Sequence, residues 1–175
     1  MNRRMNRRTL IACMAAMPIL ATLARRPVVA AASELPEFTP LKKSKEAWKA
    51  LLPVDRYRVL FEEDTERPFS SPLDKEKRDG LFICAACYLP LFLSEYKYDS
   101  GTGWPSFTRP IEGAMGKKTD FRLILPRTEY HCVRCTGHQG HVFKDGPPPR
   151  NERWCNNGLA LLFVPEGEPL PALRS

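Results

Sequence analysis

A single strand-rich domain built from antiparallel sheets is the fold this sequence predicts, and three observations predict it. Seventeen prolines among 175 residues interrupt the chain too often for a long helical bundle. From Gly80 onward the apolar residues fall in short runs separated by Gly, Pro, Asp and Ser, the texture of short strands joined by frequent turns. Two Cys-x-x-Cys pairs, Cys84/Cys87 and Cys132/Cys135, sit far apart within this region, so two turns from distant parts of one domain can meet.

The formal charge of +7 is concentrated at one end. Residues 1 to 32 hold Arg3, Arg4, Arg7, Arg8, Arg25 and Arg26 and no acid, which leaves 21 basic against 20 acidic residues from Ser33 onward. A near-neutral body lacks the counterion-release drive of a nucleic-acid binder, so no nucleic-acid partner is expected. The same segment has an apolar run from Leu10 to Leu23 broken by Pro18, then the small-residue patch Ala30-Ala31-Ala32. That run is too short to cross a bilayer, and its flanks match a cleaved secretory signal. Within it, "NRRTLI" resembles a twin-arginine export address with Arg7 and Arg8 as the pair. Residues 1–32 therefore read as a twin-arginine-type signal peptide, and 33–175 as an exported, periplasmic domain with no membrane attachment once the signal is removed. "LIAC" around Cys13 looks like a lipoprotein box, but the apolar run follows the cysteine where it should precede it, which argues against lipidation.

Leu35 to Lys45 reads as a Pro- and Lys-rich arm. Behind Ser44 as N-cap, Trp48, Leu51 and Leu52 recur at i, i+3, i+4, and Tyr57, Leu60 and Phe61 repeat the spacing, which predicts two short core-facing helices. The runs "LFIC", "PLFL", "FRLIL" with Phe121, Leu123 and Leu125 alternating, "HVF" and "LALLFV" each predict a strand.

Each Cys-x-x-Cys turn aims two thiolates at one point, and two such turns close a tetrahedron around zinc at about 2.3 Å per bond. Four thiolates leave the ion no open position for water, so Cys84, Cys87, Cys132 and Cys135 predict one structural zinc. Disulfides, which exported proteins also use, and a redox-active pair are the competing readings. A disulfide oxidoreductase working through "CAAC" would need a βαβ pattern that is missing.

Of six cysteines, Cys13 falls in the signal and four go to metal, which leaves Cys155 alone in "RWCNNG". In a strand, Arg153 and Asn157 would share its face: a cation that favours the thiolate and an amide donor. Upstream, "GHQGHVFKDG" places His138 and His141 three apart with Asp145 four further on. Together these are the parts of a nucleophilic thiol site. A buried inert cysteine beside turn-capping histidines would give the same spacing, and a zinc-clipped binding module would carry the same four cysteines without needing Cys155.

The order "CAAC", "YDSGTGWPSF" (Tyr98 to Phe107), "RTEYHCVRC", "GHQGHVFKDGP" and "RWCNN", over about residues 45–165, resembles the methionine sulfoxide reductases of the B type. The resemblance implies a mainly β fold of two antiparallel sheets forming a barrel-like sandwich of the β-tent type, with a structural zinc site and short N-terminal helices. It implies reduction of the R diastereomer of protein methionine sulfoxide, a repair reaction under oxidative stress. Cys155 matches the nucleophile that is left as a sulfenic acid, Arg153 the residue that activates it, and Asn157 the asparagine near the sulfoxide oxygen. His141 matches the acid that protonates the departing oxygen, supported by His138 and Asp145; Trp104 and Phe107 match the substrate-binding side chains. In two places the chain departs from the pattern: Asn156 stands where relatives usually have an aliphatic residue, and Gly158 where they have serine. The mature chain also has no cysteine to resolve the sulfenic acid outside the zinc pairs, so the expected reductant is an external small thiol or a thioredoxin-like partner.

Overall fold

The computed structural model describes residues 35–121 and 125–175; the expected signal segment, with Arg7, Arg8 and Cys13, lies outside them. Two helices open the described chain. Helix α1 (Lys45–Leu51) starts at Ser44, whose hydroxyl accepts from the Ala47 amide at 3.2 Å and so satisfies one of the first-turn donors that a helix leaves unpaired. Helix α2 (Val54–Glu62) ends at Glu63, which takes a left-handed backbone with φ 55°. Trp48, Leu52, Tyr57 and Leu60 are buried as the spacing predicts, with Trp48 stacked on Phe61 at 4.9 Å. Leu51 is exposed; α1 is only two turns long, and it packs through the Trp48–Leu52 side of its surface.

Nine strands follow: β1 (Gly80–Cys84), β2 (Pro90–Leu93), β3 (Lys97–Tyr98), β4 (Ser106–Phe107), β5 (Met115–Asp120), β6 (Arg127–Cys132), β7 (His138–Phe143), β8 (Arg153–Asn156) and β9 (Leu161–Pro165). They form two antiparallel sheets, one ordered β2-β1-β9 and the other β3-β4-β8-β7-β6-β5. "LFIC", "PLFL", "HVF" and the end of "LALLFV" lie in β1, β2, β7 and β9 as expected. Of "FRLIL", only Phe121 and Leu125 are among the described residues. Residues 122–124 lie outside the described residues, and Phe121 and Leu125 are exposed, outside the strands on either side. The strand in that region is β5, "MGKKTD", an edge strand with no apolar alternation; lysines on an edge discourage pairing with another chain.

Aromatic rings fill the space between the sheets. Phe82 of β1 meets Phe107 of β4 at 5.0 Å, and Phe92 of β2 stacks on Phe107 at 4.0 Å. Tyr130 of β6 lies edge-on to Phe92 and to Trp154 of β8. Burying each such ring contributes about 1.5–3 kcal/mol or more, so this layer fixes how the two sheets face each other. It also fixes which face of the larger sheet is left for chemistry.

Candidate active site

Strand pairing assembles the site. Cys155 on β8 is directly opposite His141 on β7 and Ser106 on β4. The row continues outward in register, with His141 opposite Glu129, Glu129 opposite Lys118, and Ser106 opposite Tyr98. Side chains of directly paired residues rise from the same face of a sheet. A polar row, Tyr98–Ser106–Cys155–His141–Glu129–Lys118, therefore crosses all six strands. The residues one position along, Phe107, Trp154 and Tyr130, turn to the other face and make the core. Gly140 allows the close approach of β7 to β8, because a Cβ there would lie 1.9 Å from the Cys155 carbonyl oxygen.

Cys155 opens into a cavity of about 110 Å³ lined by Trp104, Arg127, His141, Phe143 and Asn157 among others. The space suits the head of one side chain. Larger hollows of about 410 and 450 Å³ lie around Arg56 and Arg109, and neither is lined by a cysteine or histidine. Trp104 forms one wall and is held by its indole N–H, which donates to the Glu66 carbonyl at 3.2 Å. His141 Nε2 lies 2.8 Å from Asp120 Oδ2, and Asp120 is also paired with Arg127 at 2.7 Å. Its imidazole packs edge-on against His138 at 5.4 Å. His138 is buried, with Nδ1 2.9 Å from Glu129 Oε1, and Glu129 in turn meets Lys118 at 2.8 Å.

Burial pushes the Cys155 thiol up, against the charge of Arg153 and the polar side chains of Thr102 and Arg153, which pull it down; the net direction is upward. Burial likewise pulls His141 down, with Asp120 opposing. The resting pair is therefore a neutral thiol beside a neutral imidazole. If Nε2–H donates to Asp120, Nδ1 is left as a base.

The sequence candidates fall into place unequally. Cys155, His141, Trp104 and Asn157 line one cavity, and Arg153 shares the nucleophile's face. Asp145 does not support the histidines as expected. It accepts two hydrogen bonds from Arg153, Nε at 3.0 Å and Nη2 at 2.8 Å, because it lies beyond the end of β7 beside the start of β8. Phe107 is no substrate contact; one step along β4 from the site face, it is fully buried between Phe82 and Phe92. Asn157 is anchored by backbone, its Nδ2 donating to the Gln139 carbonyl at 3.1 Å and its Oδ1 accepting from the Glu66 amide at 3.1 Å. Asn156 is fully buried and satisfied, with Oδ1 accepting from the Tyr130 hydroxyl and Nδ2 donating to the Asn157 carbonyl, both at 2.8 Å. Sequence reading missed Asp120, Glu129, Arg127, Thr102 and Phe143. Thr102, Arg127, Glu129 and Phe143 all lie inside the motifs that carry the resemblance; Asp120 has no local signal, because its partner is brought by pairing.

The four remaining described cysteines converge. Cys84 and Cys87 flank the turn between β1 and β2, Cys132 and Cys135 the turn between β6 and β7, and their sulfurs all lie within 4.8 Å of one another. The closest contacts, Cys84–Cys135 and Cys87–Cys132, are both 3.6 Å. That is well beyond a disulfide bond of about 2.05 Å and close to the edge, about 3.8 Å, of a tetrahedron with 2.3 Å metal–sulfur bonds. The cluster is thus placed to hold a metal ion. The segments near both ends of the described residues brace it: the Leu41 amide donates to the Arg134 carbonyl at 2.6 Å, and the Arg174 amide to the Cys87 carbonyl at 3.2 Å.

The chain is similar in sequence to known proteins. Residues 52–165 match the SelR domain family. A peptide methionine sulfoxide reductase MsrB from Agrobacterium fabrum is 45% identical over 126 residues, covering 71% of this chain and 93% of that protein. The MsrB of Pseudomonas entomophila is 47% identical over 126 residues, 71% of this chain and 96% of its own length. That of Leptospira interrogans is 44% identical over 127 residues, 72% and 97% of the two chains.

Proposed function

This chain belongs to the SelR-domain, MsrB family of peptide methionine sulfoxide reductases, and from that premise we propose that it reduces the R diastereomer of methionine sulfoxide in proteins through Cys155. The observation that carries the reading is the register that sets Cys155 opposite His141 at a small cavity walled by Trp104.

The substrate's sulfur-bound methyl rests on the Trp104 ring, a soft contact for sulfur and its substituents. As the sulfoxide enters, the Cys155 proton passes to His141, and the thiolate attacks the sulfoxide sulfur. His141 returns the proton to the sulfoxide oxygen, and the resulting hydroxyl passes to the Cys155 sulfur as the S–O and S–S bonds of the adduct break, so methionine leaves reduced by two electrons and Cys155 is left as a sulfenic acid. Arg153, fixed by Asp145, favours the anion during attack. A first external thiol then condenses with the sulfenic acid and releases water; a second exchanges with the mixed disulfide and restores Cys155. An external reductant fits the described cysteines, of which only Cys155 stands outside the four-sulfur cluster.

Cys84, Cys87, Cys132 and Cys135 would hold zinc, which four thiolates at tetrahedral spacing suit. A closed four-thiolate ion contributes folding stability and no reaction step. The reading extends to export through the twin-arginine signal at residues 1–32, a route that would let zinc load before the protein meets an oxidising periplasm. Among the described residues no helix is long and apolar enough to cross a membrane. N-terminal sequencing of the periplasmic protein tests the export reading.

The activity test uses the chain from Ser33 onward with excess dithiothreitol and a peptide carrying racemic methionine sulfoxide, resolved by chromatography, beside Cys155→Ser. Loss of the R form alone, absent in the variant, is the expected result. Consumption of the S form, or turnover by Cys155→Ser, would refute the reading.

A further inference from the structure

Tyr98 begins the polar row, two strands from the nucleophile, with only Ser106 between them. Its ring is partly covered, yet its hydroxyl is buried and has no hydrogen-bond partner among the described residues. An unpaired buried hydroxyl costs folding free energy that a phenylalanine of the same shape would avoid. Ser106 does not relieve it, because its Oγ is engaged by Ser100 Oγ at 2.7 Å and donates to the Trp104 carbonyl at 3.0 Å. Buried orphans of this kind call for a partner that arrives in another state of the site.

The charged and titratable groups around the pair are few. On the Tyr98 side, Lys97 donates to the Asp74 carbonyl at 2.8 Å, and Asp99 is paired with Lys75 at 3.3 Å. Arg153 is held by Asp145. Cys155 faces Arg153 from its own strand and His141 from β7, backed by Asp120 and Arg127, with Tyr130 behind the sheet. Tyr98 is within electrostatic reach of Arg153, Asp145 and Cys155. Among these groups Cys155 is the one whose ionisation as the proposed nucleophile places a new negative charge at the site.

We propose that the Tyr98 hydroxyl is a further hydrogen-bond donor to the ionised nucleophile: unpartnered beside the neutral thiol, it donates to the Cys155 sulfur once that sulfur is a thiolate. The proton lost by Cys155 goes to His141 or to water, and Tyr98 keeps its own. The donor offsets part of the burial that disfavours the anion, which Arg153 and Thr102 must otherwise do.

The inference deepens the function proposed above, but its test does not depend on turnover. Tyr98→Phe removes one oxygen and keeps the ring; Tyr96→Phe is the control, since the Tyr96 hydroxyl accepts from Arg109 on the exposed surface. The rate of Cys155 alkylation by iodoacetamide, read by mass spectrometry on the metal-loaded chain from pH about 6 to about 11, gives the thiol's ionisation directly. Tyr98→Phe should shift the profile upward by about one pH unit, slowing alkylation at pH 8 about tenfold, while its Tm is equal to or above the parent's. Tyr96→Phe should leave the profile in place. A profile that superimposes on the parent's overturns the proposal. A lowered Tm overturns it too, because the hydroxyl would then have served the resting fold. Absence of methionine sulfoxide turnover in the parent would instead defeat the proposed function and leave this comparison readable.

Discussion

Replacing Gly158 by serine, the residue that the sequence resemblance leads one to expect, should damage this protein. Gly158 follows the nucleophile's strand, and its amide hydrogen-bonds to Glu66 Oε1 at 2.5 Å while the Leu159 amide donates to Oε2 at 2.9 Å. A Cβ at Gly158 would lie 1.9 Å from Ser71 Oγ and 2.4 Å from Ser71 Cβ, so Ser71 would have to move by more than an ångström. Ser71 is not free to do so cheaply. Its Oγ accepts from the Leu73 amide at 3.2 Å and caps the 3-10 turn Pro72–Asp74. Losing the cap costs about 1 kcal/mol, and overpacking costs about 1–3 kcal/mol more. At about 2–4 °C per kcal/mol for a chain of this size, Gly158→Ser should lower Tm by roughly 4–16 °C in calorimetry of the metal-loaded protein. The same substitution in a Ser71→Gly background should recover most of the loss, with a coupling of about 1–3 kcal/mol. A Gly158→Ser variant that melts with the parent, or a loss that Ser71→Gly does not relieve, would refute the steric argument.

The remaining expectations use other parts of the molecule. Because burial holds Cys155 above its usual 9.0, its alkylation rate should still be climbing at that pH, and Arg153→Met should push the rise further; a plateau below pH 8 would contradict the burial argument. Phe107→Leu should lower Tm and leave KM unchanged, whereas a side chain that touched substrate would raise KM. Burial pushes Glu129 up, but its hydrogen bonds to His138 and Lys118 outweigh this and leave it below its usual 4.5. A carboxyl lowered on folding stabilises the protein above its unfolded pKa and ceases to do so as pH falls through the folded one. Stability measured from pH 6 down to pH 3 should therefore fall in the parent and fall less in Glu129→Gln.

Local patterns made much of this molecule legible in its sequence. Apolar runs between turn residues located β1, β2 and β9, a serine cap with i, i+3, i+4 spacing located the helices, and Cys-x-x-Cys repetition located the four-sulfur cluster. Elimination among the cysteines left Cys155 as the candidate nucleophile, and the resemblance added Trp104, which walls the cavity. Pairing was not legible. Lys117 and Lys118 hide β5 because an edge strand carries charge instead of alternation, and Asp120 meets His141 only because β5, β6 and β7 lie side by side. Phe107 and Asp145 were misread for a related reason. A motif gives proximity along the chain, whereas the face of a strand and the end of its neighbour decide what each side chain touches.

The same pairing explains how a metal ion held by the cluster could matter to the site without touching it. Cys84 ends β1 of the smaller sheet, while Cys132 ends β6 of the larger and Cys135 precedes β7, so an ion held by the cluster ties the two sheets together at one point. Gln139, the second residue of β7, donates from Nε2 to Cys84 Sγ at 3.7 Å. Its carbonyl accepts from the Asn157 amide at 2.8 Å and from Asn157 Nδ2 at 3.1 Å. The loop after the nucleophile thus hangs from the strand that leaves the cluster, two residues before His141. Loosening the cluster would remove no group from the cavity. It would free the end of β7, and with it the register that holds His141 opposite Cys155, so the clip's effect on the site is exerted through backbone pairing and not through charge at the reacting sulfur.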